Sequence, residues 1–272
     1  MTIIVPQNTG RPMSITRTGR HEPFELQVGR GQIGFHTPVE LFGYSTAIGS
    51  TAQGPLWEGL SLSGGNYIYP SSAAQLTLVS SSTSDTAALL IQVQGLDANY
   101  NLQYETIAMN GTTNVTTTGS YLRINGLYCL NGTNVGTITA KISTTLYAQM
   151  NPGIGQTQMS LYTVPNGYTF YLTYIQANAS IGFTSSAYMT FAEYNKFNLS
   201  TTDNINGYPV TIGSNTTVLS QSPFVQIFNI PYTVPIAHPA GTDIQYQMKA
   251  STGSPYTGSI FAGGYLIANS VS

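Results

Sequence analysis

Apolar and polar residues alternate along most of this chain at the two-residue spacing of strands. In AALLIQVQGL (Ala87–Leu96), Leu89, Ile91 and Val93 interleave with Leu90, Gln92 and Gln94. That pattern gives a half-buried strand with one apolar face. LQYETIAM (Leu102–Met109) alternates again, and Leu76–Val79 reads as a further strand. TNVTTTGSYLRINGLYCL supplies two strands around Gly119 and Gly126, and VGTITAKIS supplies another. Asn110-Gly111 is the strongest short hairpin signal in the chain, and Asn131-Gly132 marks a second turn. About six short strands between 70 and 143, with turns every ~8–12 residues, have the spacing of a β-sandwich.

A second block follows NPGIG (Asn151–Gly155). TFYLTYIQA (Thr169–Ala177) and AYMTFAEY (Ala187–Tyr194) read as long strands with aromatic alternation, followed by SPFVQIFNIPYTV, GTDIQYQMKA and SIFAGGYLIAN. Pro165-Asn166-Gly167 and Pro239-Ala240-Gly241 are turn devices, each set just ahead of a strand. Residues 21–60 hold two short apolar stretches, Phe24–Val28 and Val39–Phe42, split by Gly29, Gly31 and Gly34, and read as short strands. The first 20 residues lack alternation and contain Pro6, Gly10, Pro12 and Gly19, which describes an extended arm rather than a packed element. The expected fold is all-β: an extended N-terminal arm and attachment segment over 1–60, a first β-sandwich over 61–145 and a second over 146–272, each jelly-roll or Ig-like.

Composition narrows the function classes. Of 272 residues only 7% are charged, against roughly 25% in average soluble domains. Mean hydropathy is 0.00, so Ser, Thr, Asn, Gly and Tyr stand where charge would be. Charge-driven disorder and coiled coils are excluded. No apolar run approaches the ~18 residues of a membrane helix. Net charge is −2, which argues against a nucleic-acid partner. Low total charge favours assembly with other chains. No charged-then-apolar leader is visible at the N-terminus, so synthesis in a cytosol is expected. Half of the eight bases, Arg11, Arg17, Arg20 and Arg30, lie in the first 30 residues, which suits an arm docking on an acidic protein surface or a neighbouring subunit.

Candidate chemistry is sparse. His21, His36 and His238 each stand alone, without ligand spacing for a metal, and read as surface or interface residues; His238, between Pro235 and Pro239, reads as exposed. Cys129 reads as a buried strand residue. VGRGQIG lacks the Lys and the following helix of a phosphate loop. Carboxylates for a glycosidic acid-base pair would have to come from Asp85, Asp97, Glu105, Glu193, Asp203 and Asp243, and Asp97 and Asp203 sit in turn contexts. No catalytic residue, cofactor or metal is expected.

Five segments carry a resemblance: HEPFELQVGRGQIGFHTPVELFGYST (21–46), the run from Trp57 through Tyr69-Pro70 to Ser80–Asp85, VQGLDANYNLQYETIAMNGTTNV (93–115), SYLRINGLYCLNG (120–132) and QTQMSLYTVPNGYTFYL (156–172). Together they resemble a family of virion structural proteins of tailed bacteriophages, many of them marine, over about residues 21–180. The resemblance implies a β-rich, non-enzymatic particle component. The first expectation is a capsid decoration (cement) protein that binds the major capsid protein or other virion proteins as a homo-oligomer, with a trimer favoured. It would be made in the host bacterial cytoplasm and carried in the virion. The alternative is a neck, tail or head fibre component contacting a host-surface glycan. The candidate attachment residues are Arg11, Arg17, Arg20, Arg30, Phe24, Phe35 and Phe42.

Overall fold

The computed structural model describes residues 2–6, 12–16, 22–49, 54–59, 67–181, 189–197, 224–250 and 256–269. The chain is all-β. The described residues contain one helix, the six-residue α1 (Phe24–Gly29). This corrects the strand expected there: Pro23 presets the first turn, and Glu25 sits at its amino end. The arm is also more ordered than expected, because β1 (Thr2–Pro6) and β2 (Pro12–Thr16) pair antiparallel. Among the described residues no helix is long and apolar enough to cross a membrane.

β3 (His36–Ile48), expected as short strands, is one strand of 13 residues. β4 (Gly54–Pro55) follows it. The next seven strands are β5 (Ala74–Ser80), β6 (Leu90–Leu96), β7 (Leu102–Ala108), β8 (Val115–Tyr121), β9 (Arg123–Cys129), β10 (Ile138–Ile142) and β11 (Thr145–Met150). They form two antiparallel sheets, ordered β11-β10-β5-β8 and β7-β6-β9. Leu76, Leu78, Ile138 and Ala140 from one sheet meet Ile91, Val93, Ile107 and Leu127 from the other in a single core.

Asn110-Gly111 was expected to close a hairpin, and Asn131-Gly132 to turn the chain; both instead cross between sheets. Asn110-Gly111 leads from β7 to β8, and Asn131-Gly132 leads from β9 to β10. Gly111 and Gly132 do take positive φ, 57° and 70°. The loops are then held by long-range bonds. The Gly111 N–H donates to the Asp85 carbonyl at 2.7 Å, and the Asn131 side chain accepts from Leu90 N–H and donates to the Ala88 carbonyl. Tertiary pairing overrides the local turn preference here.

The remaining strands are β12 (Leu161–Thr163), β13 (Tyr168–Ile181), β14 (Met189–Phe197), β15 (Phe224–His238), β16 (Thr242–Ala250) and β17 (Tyr256–Ala268). One sheet is ordered β15-β13-β17-β3. In the other, β14 pairs one edge of β16, and β12 and β4 pair successively along its opposite edge. Phe170, Leu172, Ile175, Ile260 and Ala262 pack against Ile244, Tyr246 and Met248 to make a second core.

A seam joins the two cores. Leu56 lies in the second and its neighbour Trp57 in the first; Leu161 lies in the first and its neighbour Tyr162 in the second. The period-2 geometry of an extended chain sends adjacent side chains to opposite faces, so these segments serve both cores. Ser160 fixes the seam: its Oγ donates to the Tyr246 carbonyl at 2.6 Å and accepts from Leu56 N–H at 2.9 Å. Gly43 of β3 lies against this point, where a Cβ would stand 2.5 Å from Ser160 Cβ and 2.8 Å from the Leu56 carbonyl oxygen. We expect Gly43→Ala to lower unfolding stability by about 1–3 kcal/mol, the usual cost of overpacking. Gly29→Ala, where an added Cβ meets nothing within 4 Å, should change it by less than ~0.5 kcal/mol. Denaturant titration of the two variants measures the difference.

Candidate functional site

Charged side chains are few enough to be followed individually. Arg123 on β9 is buried and faces Asp243 on β16; their side chains are 3% and 0% exposed. Nε donates to Oδ1 at 2.8 Å and one Nη to Oδ2 at 3.1 Å. The same Nη reaches Tyr100 Oη at 3.2 Å, and the other donates to the carbonyls of Leu122 and Pro70. All five guanidinium N–H groups are thereby engaged. The guanidinium carbon lies 4.6 Å from the Tyr69 ring centre and 5.4 Å from that of Tyr100. Asp243 also accepts from Thr163 Oγ1 on the seam. Burial alone would lower the Arg123 pKa, but the hydrogen bond and charge of Asp243 outweigh it and the net shift is upward. Burial raises Tyr69 well above the ordinary phenol range, and Asp243 adds to the shift.

Seven acids follow residue 40, and the side chains of five are described: Glu58, Asp85, Asp97, Glu105 and Asp243. Asp85 accepts from Ser80 Oγ and from the N–H groups of Val135 and Gly136. Its burial works against ionisation, yet these bonds hold its pKa below the ordinary value. Asp97 closes its turn by accepting from Asn99 N–H and Asn101 N–H, as the turn context implied. Glu105 binds Thr118 N–H and Gly119 N–H. Glu58 accepts from Asn151 N–H and Gln158 N–H, while burial lifts its pKa to about 7 against the pull of those two bonds. The carboxylates therefore hold backbone in place.

The remaining candidates also find positions. His238 is a correction: it is buried, at the end of β15, with its ring stacked on Phe170 at 6.0 Å. β15 is an edge strand, where prolines are tolerated, so it runs through Pro231 and Pro235 instead of breaking into a loop. His36 Nδ1 lies 2.9 Å from the Gly34 carbonyl. His21 lies outside the described residues. Cys129 is half-buried, with Sγ 3.7 Å from Met150 Sδ, and burial pushes its thiol pKa up. Among the described residues no group of three or more His, Cys, Asp and Glu could hold a metal ion.

Of the expected attachment residues, Arg11, Arg17 and Arg20 lie outside the described residues. Arg30 forms an ion pair with Glu22 at the end of α1. Phe24 is exposed on α1, with its ring edge-on to His36 and Tyr265. Phe35 takes φ 64° just before β3. Phe42 is half-buried within β3, in register with Phe261. Phe24 and Phe35 thus lie at the start of β3, Arg30 pairs with Glu22, and Phe42 belongs to the sheet.

Reading the sequence alone missed two groups that matter. Arg123 is a lone base in an otherwise uncharged strand, and that isolation was the available signal. Glu58 carried none beyond its place beside the single Trp. A further feature arises only from the fold: a cleft of about 290 Å³ between the outer face of β7-β6-β9 and strand β3, lined by Tyr104, Tyr128, Gln94, Asn125 and Glu40 among others.

No protein-family profile and no curated protein matches the sequence. Solved structures of infectious bursal disease virus do match. The structure of its Gt strain is 12% identical, over 91% of this chain and 78% of that chain, with a TM-score of 0.22. The structure of its VP2 subviral particle is 13% identical, over 86% of this chain and 72% of that chain, with a TM-score of 0.23. At those TM-scores the backbones do not superpose as one fold, and the likeness carries no argument about this chain.

Two outcomes follow from the buried charges. Arg123→Ala strands Asp243 in the interior and should cost about 3–5 kcal/mol; Arg123→Met with Asp243→Leu should recover much of the loss in denaturant titrations. Glu58 has a folded-state pKa of about 7 against an ordinary value of 4.5. The folded chain therefore keeps a proton that the unfolded chain has already lost. Stability should decline as pH rises from about 4.5 to about 7 and level off above that. Glu58→Gln should remove this slope in thermal melts taken across that range.

Proposed function

We propose that this chain is a non-enzymatic structural protein of a bacteriophage virion, and that it decorates the outer capsid shell as a homotrimer, with its two sandwiches standing on an N-terminal attachment segment. The observation that supports this most is where the charge goes. Each described acid beyond residue 40 is bound to backbone N–H groups or to Arg123. The outer faces are left to residues such as Thr106, Thr112, Asn114, Thr116 and Thr118. A face of this kind has little electrostatic barrier to lying against copies of itself or other subunits. The sequence resemblance over residues 21–180 agrees with this reading.

Attachment is assigned to the segment ahead of β3. There Phe24 and Leu26 are 44% and 49% exposed, and Arg11, Arg17 and Arg20 precede them in the chain. A neck, tail or head fibre component is the second reading, favoured by the tyrosine-lined cleft.

Copy number separates the two readings: hundreds of copies on purified particles mark decoration, and a dozen or fewer mark a neck or fibre. Deleting residues 1–20 removes three of the eight bases and none of the strands of either core. The truncated protein should fold and sediment as a trimer, yet bind weakly to particles that lack the protein. Raised salt should weaken the intact protein too, because exposed charges are screened within ~8 Å at physiological ionic strength. Full-strength binding by the truncated form would move attachment onto α1 or the sandwiches.

A further inference from the structure

We propose that the cleft between the first core's outer sheet and β3 binds a neutral hexose ring. The site stands independently of where the protein sits on a particle, because the isolated chain builds it. Its floor is the outward face of β7-β6-β9, where Tyr104, Gln94 and Gly126 stand in register across the three strands. Strand β3, from Thr37 to Leu41, closes the opposite side together with Leu266. The Tyr128 ring lies back over Gly126, with its atoms 2.9–3.1 Å from where a Cβ would stand there. Tyr104 is 55% exposed, a large ring presented to solvent at the cleft.

Phenol groups collect at this place. Burial raises the pKa values of Tyr104, Tyr128 and Tyr162, and phenol neighbours among these residues and Tyr168 raise them further. Tyr162 lies in the second core and serves as the back wall. The side chains of Tyr104, Tyr128 and Glu40 all belong to the cleft lining. A cleft at the junction of two packed units, with convergent polar groups and an exposed tyrosine ring, is the usual setting of a ligand site. Its volume of about 290 Å³ lies just below the ~300–1,000 Å³ range of drug-sized sites, which suits a single ring.

The ligand class follows from the lining. Among the described residues no Lys, Arg or His lines the cleft, so none of them would pair there with a phosphate, sulfate or carboxylate. Among the described lining residues a cationic ligand would find a single carboxylate, Glu40. The aromatic faces of Tyr104 and Tyr128 suit the C–H face of a pyranose ring. Glu40, Gln94 and the tyrosine hydroxyls can accept from and donate to its hydroxyls.

Saturation-transfer NMR on the full chain tests this with methyl glycosides of glucose, galactose and N-acetylglucosamine. Methyl α-sialoside serves as the anionic control, and dextran and a galactan tell a polymer chain from a free sugar. We expect transfer to at least one neutral glycoside with a Kd of about 1 mM and none to the sialoside. Tighter binding of the matching polymer would identify a glycan chain as the ligand, and equal binding a free sugar. Tyr104→Ala should keep the parental melting temperature, since the ring is exposed, while weakening binding by about tenfold or more, the loss expected for one aromatic contact. Glu40→Gln should weaken it less. Absence of transfer to every neutral glycoside, equal transfer to the sialoside, or unchanged affinity in Tyr104→Ala would each overturn the assignment.

Discussion

The fold turns on one desolvated ion pair. An arginine removed from water is tolerable only when each of its N–H groups finds an acceptor. For Arg123 those acceptors come from separate parts of the chain: Pro70 ahead of β5, Tyr100 in the turn after β6, Leu122 at the β8–β9 corner and Asp243 on β16. Asp243 in turn holds Thr163 of the seam strand. Satisfying one guanidinium therefore fixes the relation of both cores. The pair also selects a single arrangement, because sliding either sheet by one residue would leave two charges unpaired in the interior.

The seam works by a different physical rule. Leu56-Trp57 and Leu161-Tyr162 have no solvent face, so both sides of the extended chain can be apolar. Two cores sharing such segments cannot move as loosely tethered beads. Ser160 is fully buried, and its hydroxyl bridges β16 to the segment after β4. A hydroxyl suits this position because it can donate and accept at once.

Much of this architecture was legible in the sequence. Alternation marked β5 to β10 and most of β13 to β17; β5 and β6 show its cause, burying one face and leaving the other partly exposed. The Pro165 and Pro239 turns also formed as expected, with Gly167 and Gly241 at φ 79° and 78°. β11 escaped notice because Tyr147 to Met150 are all buried and show no alternation. Asn110-Gly111 misled as a hairpin signal because its local geometry is the same whether the following strand pairs back or crosses to the opposite sheet. Of the candidate sites, the Asp97 turn was readable, as it depends on neighbours in sequence. The Arg123–Asp243 contact, separated by 120 residues, was not, and neither was the cleft, whose two walls come from different sheets.

The pairing of β3 with β17 has a consequence for how the chain is made. β3 begins at His36 and pairs with β17, which ends at Ala268, so β3 must wait for a strand synthesised much later before its sheet can form. The seven strands from Ala74 to Met150 lie between them and can close their own core during synthesis. Throughout that time β3 waits with an open edge, exposed to pairing with the same strand on a neighbouring nascent chain. Pairing segments so far apart in sequence carries a large loop-closure entropy, the kind of contact that slows folding.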